Sequence, residues 1–205
     1  MTVTNQEKVA SDSKTQAARE KWNRIYAGEE KGSAPATAVT ESLAFLPAQG
    51  SALDIACGRG TNALYLAEQG LDVDAWDISD VVVDQLQDKA RSLGLSLTAR
   101  CCDIQPDCFA GRQWDVIVNC HYLDRSLTAA MKTALAPGGL ILFQTFTAAK
   151  RLDTGPSNPD FLLAPGELES IFSDFDVLTA RDESLSTDPA NPLAGRALII
   201  ARKPT

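Results

Sequence analysis

Between residues 51 and 146 short apolar runs alternate with longer amphipathic stretches, and glycines mark most of the junctions. The runs Ala52–Ala56, Val73–Trp76, Leu97–Cys101, Val116–Asn119 and Leu140–Thr145 read as strands, each a few residues long and bounded by turn formers. Between them, Thr61–Gln69, Asp80–Leu93 and Ser126–Leu135 carry helical spacing and stop at Gly70, Gly94 and Pro137-Gly138-Gly139. Strands that alternate with helices predict a parallel sheet covered on both faces.

The pattern is looser on either side. Ser13 to Tyr26 reads as a helix with Ala17, Ala18, Trp22, Ile25 and Tyr26 along one face, while the polar residues 1–12 are expected to be loose. Gly28, Gly32 and Pro35 interrupt before a second helix over Thr37–Phe45, which Pro47 and Gly50 stop. After 146, Gly155, Pro156, Pro159, Pro165 and Gly166 predict a long loop over 147–166, of the kind that often carries function. A helix over Glu167–Phe172 and a hairpin-like pair of strands, Asp176–Arg181 and Leu198–Ala201, complete the chain. The expectation is an α/β fold, Rossmann-like and doubly wound, with a mostly parallel seven-stranded sheet and an antiparallel last strand, in a single domain over 1–205.

Composition narrows the partners. With 205 residues, 44% hydrophobic and 22% charged, there is material for one ordinary core, and no apolar run is long enough to span a membrane. A net charge of −8 lacks the basic footprint that phosphate backbones require, so a small-molecule substrate is expected rather than nucleic acid. Met1 to Lys21 has no apolar signal-peptide core, and the five cysteines show no CxxC spacing, which together predict a cytoplasmic protein without a disulfide framework or a metal site.

The candidate chemistry centres on the turn Leu53-Asp54-Ile55-Ala56-Cys57-Gly58-Arg59-Gly60-Thr61-Asn62-Ala63, where a strand passes into a helix through glycines. Such turns bring backbone N–H groups and a helix N-terminus against a ligand. Gly58 to Ala63 also satisfies the dinucleotide pattern GxGxxG/A, and Asp77, about 20 residues on, suits any adenosine ribose, so the turn alone leaves a nicotinamide cofactor open. Asp54 inside the first strand and Asp103-Ile104 after the third extend the pattern.

At this point the sequence resembles the class I S-adenosylmethionine-dependent methyltransferases, whose glycine motif runs acid-x-Gly-x-Gly-x-Gly. Asp54-x-Ala56-x-Gly58-x-Gly60 matches it with Ala in the first glycine slot. Trp114-Asp115-Val116-Ile117 and Ala136-Pro137-Gly138-Gly139-Leu140 resemble the approaches to the fourth and fifth strands of these enzymes. Leu64-Tyr65-Leu66-Ala67, Ala75-Trp76-Asp77, Phe143-Gln144-Thr145-Phe146-Thr147 and Asn158-Pro159-Asp160-Phe161-Leu162-Leu163 with Gly166-Glu167-Leu168 are similar to the tellurite-resistance (TehB-like) branch.

The resemblance implies S-adenosyl-L-methionine as cofactor. Asp54, Ala56, Gly58 and Gly60 would hold its methionine moiety, Asp77 its ribose and Asp103 its adenine. Ile78 and Ile104 would sandwich the adenine ring, and the backbone of Asn119 would meet the amino group. Cys57 and Asn62 in the turn, with Tyr26 ahead of it, join the candidate cofactor-binding set. Relatives that carry Glu before Thr-Phe-Thr have a charge where this chain has Gln144. On the acceptor side, His121 is a candidate general base, and Tyr122 and Arg125 could shape the pocket or attract an anion. The acceptor itself is left open among a thiol, a chalcogen oxyanion such as tellurite, and a small metabolite. Residues 13–47 are expected to cover the site. A nicotinamide-dependent oxidoreductase and a non-catalytic cofactor-binding protein are the alternatives.

Overall fold

Strand β1 (Ser51–Ile55) sits in the interior of the sheet and is buried along nearly its whole length. In the computed structural model of the protein, which describes residues 5–28 and 32–205 with 5–12 as backbone only, it is flanked by β2 (Asp72–Asp77) and β4 (Trp114–Cys120), both parallel to it. Outward on one side lies β3 (Leu97–Cys101). On the other lie β5 (Leu135–Phe146), β7 (Arg196–Arg202) and β6 (Asp176–Asp182), giving a seven-stranded sheet of order 3-2-1-4-5-7-6. β7 runs antiparallel to both its neighbours, as expected for the last strand. Burial follows position: β1, β4, β5 and β7 are apolar runs covered on both faces, whereas the edges β3 and β6 carry exposed Thr98, Arg100, Asp176 and Val177.

Because successive side chains of a strand point to opposite faces, β1 divides its residues between two cores. Ala52 joins Val116, Val118, Leu142 and Ile200 beneath α2 (Thr37–Glu41), α3 (Thr61–Glu68) and α4 (Asp80–Leu93). Leu53 and Ile55 face the other way, with Ile117, Phe143 and Ile199, against α5 (Thr128–Ala134) and α6 (Glu167–Ile171). On that second face Trp76, Phe109 and Trp114 meet edge to face, with centroids 5.2 to 6.3 Å apart. Asp54 shares its face with Ala52, which aims a carboxylate at α3.

The differences from expectation are local. The first helix, α1, runs Asn5–Tyr26 and so begins well before Ser13; residues 1–4 lie outside the described residues. The Thr37–Phe45 segment is a short α-helix followed by a separate 3-10 turn over Leu43–Phe45. Pro137-Gly138-Gly139 lies within the extended β5 rather than closing a helix, and a register shift against Trp114 and Val116 absorbs it. A Cβ on Gly139 would come within 2.9 Å of Ala136 O and 3.0 Å of Asp115 O, which is why that residue is glycine. The chain leaves β1 first toward β2 and β3 and then crosses to β4, so the carboxyl ends of β1 and β4 border the crevice where such sheets bind ligands.

Candidate active site

The turn after β1 is built from left-handed backbone. Ala56, Gly58 and Gly60 have φ of +52°, +52° and +71°. Cys57 N donates to Trp76 O at 2.9 Å and Gly60 N to Cys57 O at 2.9 Å, which holds the loop tight against β2. Side chains are excluded at both glycines, since a Cβ on Gly58 would lie 2.8 Å from the Tyr26 hydroxyl and one on Gly60 2.3 Å from Leu86. Ala56 stands in the first glycine slot, so the Gly-to-Ala departure places an L-residue in a conformation that glycine adopts without penalty.

Three carboxylates line the carboxyl ends of β1, β2 and β3. Asp54 is 1% exposed; it accepts the Ala63 N–H at the start of α3, and its Oδ2 is buried without a partner. Burial pushes its acid up to about 8, against the Ala63 bond, with Asp77 adding to the rise. Asp77 accepts Gly58 N on Oδ2 and Ser79 N on Oδ1, each at 2.9 Å, and burial raises its acid against those bonds. The Ile78 N–H also bears on this carboxylate, so of about four acceptor sites Asp77 keeps at least one for a hydroxyl. Asp103 Oδ2 accepts the Thr15 hydroxyl at 2.6 Å.

That last bond belongs to a row of contacts from α1. Arg19 Nε donates to Ile78 O at 3.2 Å, and the Asn23 side chain bonds Ser79 Oγ and Asp80, both at 2.6 Å. Trp22 stacks on Tyr26 with centroids 5.7 Å apart, and Arg59 stacks on Tyr26 while donating to the carbonyls of Tyr26 and Gly28. Asn62 Oδ1 accepts Ala36 N at 2.9 Å, tying the α1–α2 connection to α3. A cavity of about 260 Å³ beside Arg59 and Leu86, and a groove of about 750 Å³ between Pro106–Gln113 and α5, both lie away from the three acids.

A second group gathers beyond β4. His121 has φ of +60°, donates its N–H to Gln144 O at 2.7 Å, and places its ring 5.6 Å from Phe146. The residue keeps an open edge, yet packing on the ring, reinforced by Arg196, pushes its pKa down to about 4. Arg196 lies over Phe146 with its guanidinium 4.3 Å from the ring centroid and donates through one terminal nitrogen to Pro192 O and Ala194 O. Its Nε is buried without a partner, and among the described residues no carboxylate pairs with it. Desolvation accordingly lowers its pKa.

The remaining candidates are placed differently from one another. Ile78 is half-buried at the end of β2, Ile104 is buried beyond Asp103, and Cys57 is buried within the turn, its thiol pushed up by burial and by Asp54 and Asp77. The Asn119 side chain is fully buried toward Met131, 3.9 Å from its sulfur, with Oδ1 unpartnered. Tyr122 is half-buried against the second core, and burial raises its hydroxyl to about 12. Arg125 clamps Glu167 through Nε and Nη2, and donates to Asp160 O and Leu162 O, fastening the 148–166 loop. Thr15, Arg19, Ser79, Gln144 and Arg196 complete the site through contacts that no local spacing announces; Gln144 alone had a signal, in the charge missing from its slot.

The order of the sheet, with its antiparallel last strand, is that of the class I S-adenosylmethionine-dependent methyltransferase fold. Residues 52–139 match the family model of a methyltransferase domain. Among solved structures the chain is similar to TehB from Haemophilus influenzae, with 23% identity and a TM-score of 0.66 over 90% of this chain and 66% of that one, just under two thirds of TehB's length. It is also similar to a S-adenosylmethionine-dependent methyltransferase from Clostridium acetobutylicum, with 16% identity and a TM-score of 0.61 over 82% of this chain and 89% of that one. The N-methyltransferase NodS from Bradyrhizobium japonicum matches with 16% identity and a TM-score of 0.63 over 82% and 93% of the two chains. No curated protein matches by sequence. No helix among the described residues is long and apolar enough to cross a membrane.

Proposed function

We propose that the protein transfers a methyl group in line to a small anionic acceptor held beyond β4, with Asp54, Asp77 and Asp103 binding the cofactor. The observation that carries this reading is the half-buried Arg196 beside His121 and Phe146, a cation that no carboxylate pairs with among the described residues, in a chain of net charge −8. When bound, the sulfonium supplies an already activated methyl group. The chain's residues supply position, and alignment of reactants can account for about 7–11 kcal/mol of a barrier.

Each acid has a matching task. The orphaned Oδ2 of Asp54 suits the ammonium end of the methionine moiety, a second charge that would draw its proton off. Asp77 keeps acceptor capacity for a ribose hydroxyl, Asp103 accepts from the adenine amino group, and Ile78 and Ile104 cover the ring. Gly58 and Gly60 keep side chains off the turn, Cys57 and Asn62 shape it, and the Asn119 backbone faces the amino group. Tyr26 and the rest of residues 13–47 cover the site, within one domain spanning the chain.

Arg196 would balance the acceptor's charge and His121 and Tyr122 would line its pocket, while Arg125 acts on the pocket only through the loop it fastens. Acceptors of this class include a thiolate, a chalcogen oxyanion such as tellurite, and a carboxylate-bearing metabolite. The test is labelled methyl transfer from S-adenosylmethionine to panels of thiols, chalcogen oxyanions and small amines. Transfer to anionic members, lost in Arg196→Gln, is expected; efficient transfer to neutral amines alone would overturn the anionic reading.

A further inference from the structure

His121 is the one histidine of the chain, and a side chain on the adjacent strand decides which of its nitrogens carries the proton. Gln144 is 2% exposed, and its Oε1 accepts the backbone N–H of Ala38 at 3.0 Å. A backbone N–H can only donate, so the amide oxygen must face Ala38 and the amide nitrogen must face away from it. That nitrogen lies 3.3 Å from His121 Nε2. Because an amide NH₂ also only donates, the two nitrogens can pair only when Nε2 offers a lone pair.

We infer that Gln144 is a positioning residue that fixes His121 as the Nδ1–H tautomer, with Nε2 held as a hydrogen-bond acceptor. The backbone leaves little room for another arrangement: His121 N donates to Gln144 O at 2.7 Å, the residue is in the left-handed region at φ +60°, and its ring packs on Phe146. Arg196 is the charged group that acts on the ring, and a cation there opposes a second proton. The ring therefore stays neutral and offers one N–H donor, at Nδ1.

The consequence for chemistry rests on the acceptor lying beside His121, as proposed above, whereas the tautomer does not. In methyl transfer a lone pair of the acceptor forms the new bond to carbon while the C–S pair returns to sulfur. An acceptor that arrives protonated must also lose a proton, and the lone pair of Nε2 is already engaged by Gln144. The site thus matches acceptors whose nucleophilic atom is unprotonated on arrival, and His121 serves them as a donor rather than as a base.

The experiment is long-range ¹H–¹⁵N correlation on the free, full-length protein labelled with ¹⁵N-histidine, in which the single ring gives one pair of nitrogen signals. At neutral pH a pyrrole-like Nδ1 and a pyridine-like Nε2 are expected; an Nε2–H ring or an imidazolium would overturn the inference. In Gln144→Glu, a carboxylate can still accept from Ala38 N but can only accept from His121. The Nε2–H form is expected there, with a titration midpoint raised by about one unit or more. Should that variant fail to fold, Gln144→Met removes the donor and is expected to give Nε2–H as well. An Nδ1–H ring persisting in Gln144→Met or in Gln144→Glu would show that Gln144 does not set the tautomer. Since none of these readouts involves turnover, they stand or fall apart from the assignment of the acceptor.

Discussion

Replacing Ala56 by glycine should stabilise the protein, although it removes a half-buried side chain from the turn after β1. Ala56 has φ of +52°, and the bonds Cys57 N to Trp76 O and Gly60 N to Cys57 O prevent the loop from relaxing out of that conformation. A left-handed L-residue costs about 1–2 kcal/mol. Glycine gives back about 0.5–1 kcal/mol through the greater freedom of its unfolded chain. The net expectation is a gain of about 0.5–1 kcal/mol, read as an increased denaturant midpoint at unchanged slope in guanidinium unfolding. A β-branched residue suffers more in this region, so Ala56→Val should lose more than Ala56→Gly gains. Equal or lower stability of Ala56→Gly would refute the argument, because it would mean that the neighbouring bonds do not hold residue 56 left-handed.

Other expectations follow from the acids and from Arg196. Asp77→Asn should weaken binding of S-adenosylhomocysteine by about 1.5–3 kcal/mol, measured by titration calorimetry, since it removes one charge-assisted acceptor; unchanged affinity would move the ribose elsewhere. Asp54 keeps its proton in the folded state up to about pH 8 but gives it up near 3.8 when unfolded, so the native state binds more protons between those values and stability falls as pH rises. His121 acts in the opposite sense between about 4 and 6.5, where the unfolded chain takes a proton that the native state refuses. Between pH 6.5 and 8 the Asp54 effect stands without that opposition, and Asp54→Asn should flatten the decline there in pH-dependent unfolding. Binding of S-adenosylhomocysteine at pH 7 should also release a proton from Asp54, detected as a dependence of the binding enthalpy on buffer ionisation enthalpy. Arg196→Gln should raise KM for an anionic acceptor more than it lowers kcat, because the lost contact is made before the methyl group moves.

The alternation of short apolar runs such as Ala52–Ala56 and Val116–Asn119 with helical stretches was enough to read a doubly wound sheet, because buried parallel strands are apolar throughout and need a crossover helix between them. What escaped was any arrangement set by distant partners. The extended Pro137-Gly138-Gly139 looks like a helix stop in isolation; only pairing of Leu135 with Trp114 makes it strand. The row of Asp54, Asp77 and Asp103 could be proposed from the sequence because each stands at or near the carboxyl end of a strand, within β1, at the last residue of β2 and two residues past β3. Thr15 and Arg19 were not, since they act across separations of 88 and 59 residues. Arg125 had the composition of an anion binder, yet Glu167 lies 42 residues on and claims it. Arg196 was hidden for the opposite reason: among the described residues no carboxylate pairs with it, and a sequence does not display a missing partner.

The polar stitching of α1 has a thermodynamic meaning. On the proposed assignment an adenine amino group would bond the Asp103 carboxylate that already accepts the Thr15 hydroxyl, so nucleoside binding and docking of this part of the helix would share one carboxylate. Two events that share a partner carry a coupling free energy, and that coupling is reciprocal. Thr15→Val, which surrenders a bond worth about 0.5–1.5 kcal/mol, should therefore tighten S-adenosylhomocysteine binding by about two- to tenfold. The same factor should measure how strongly bound nucleoside loosens the start of α1, read as faster amide exchange there.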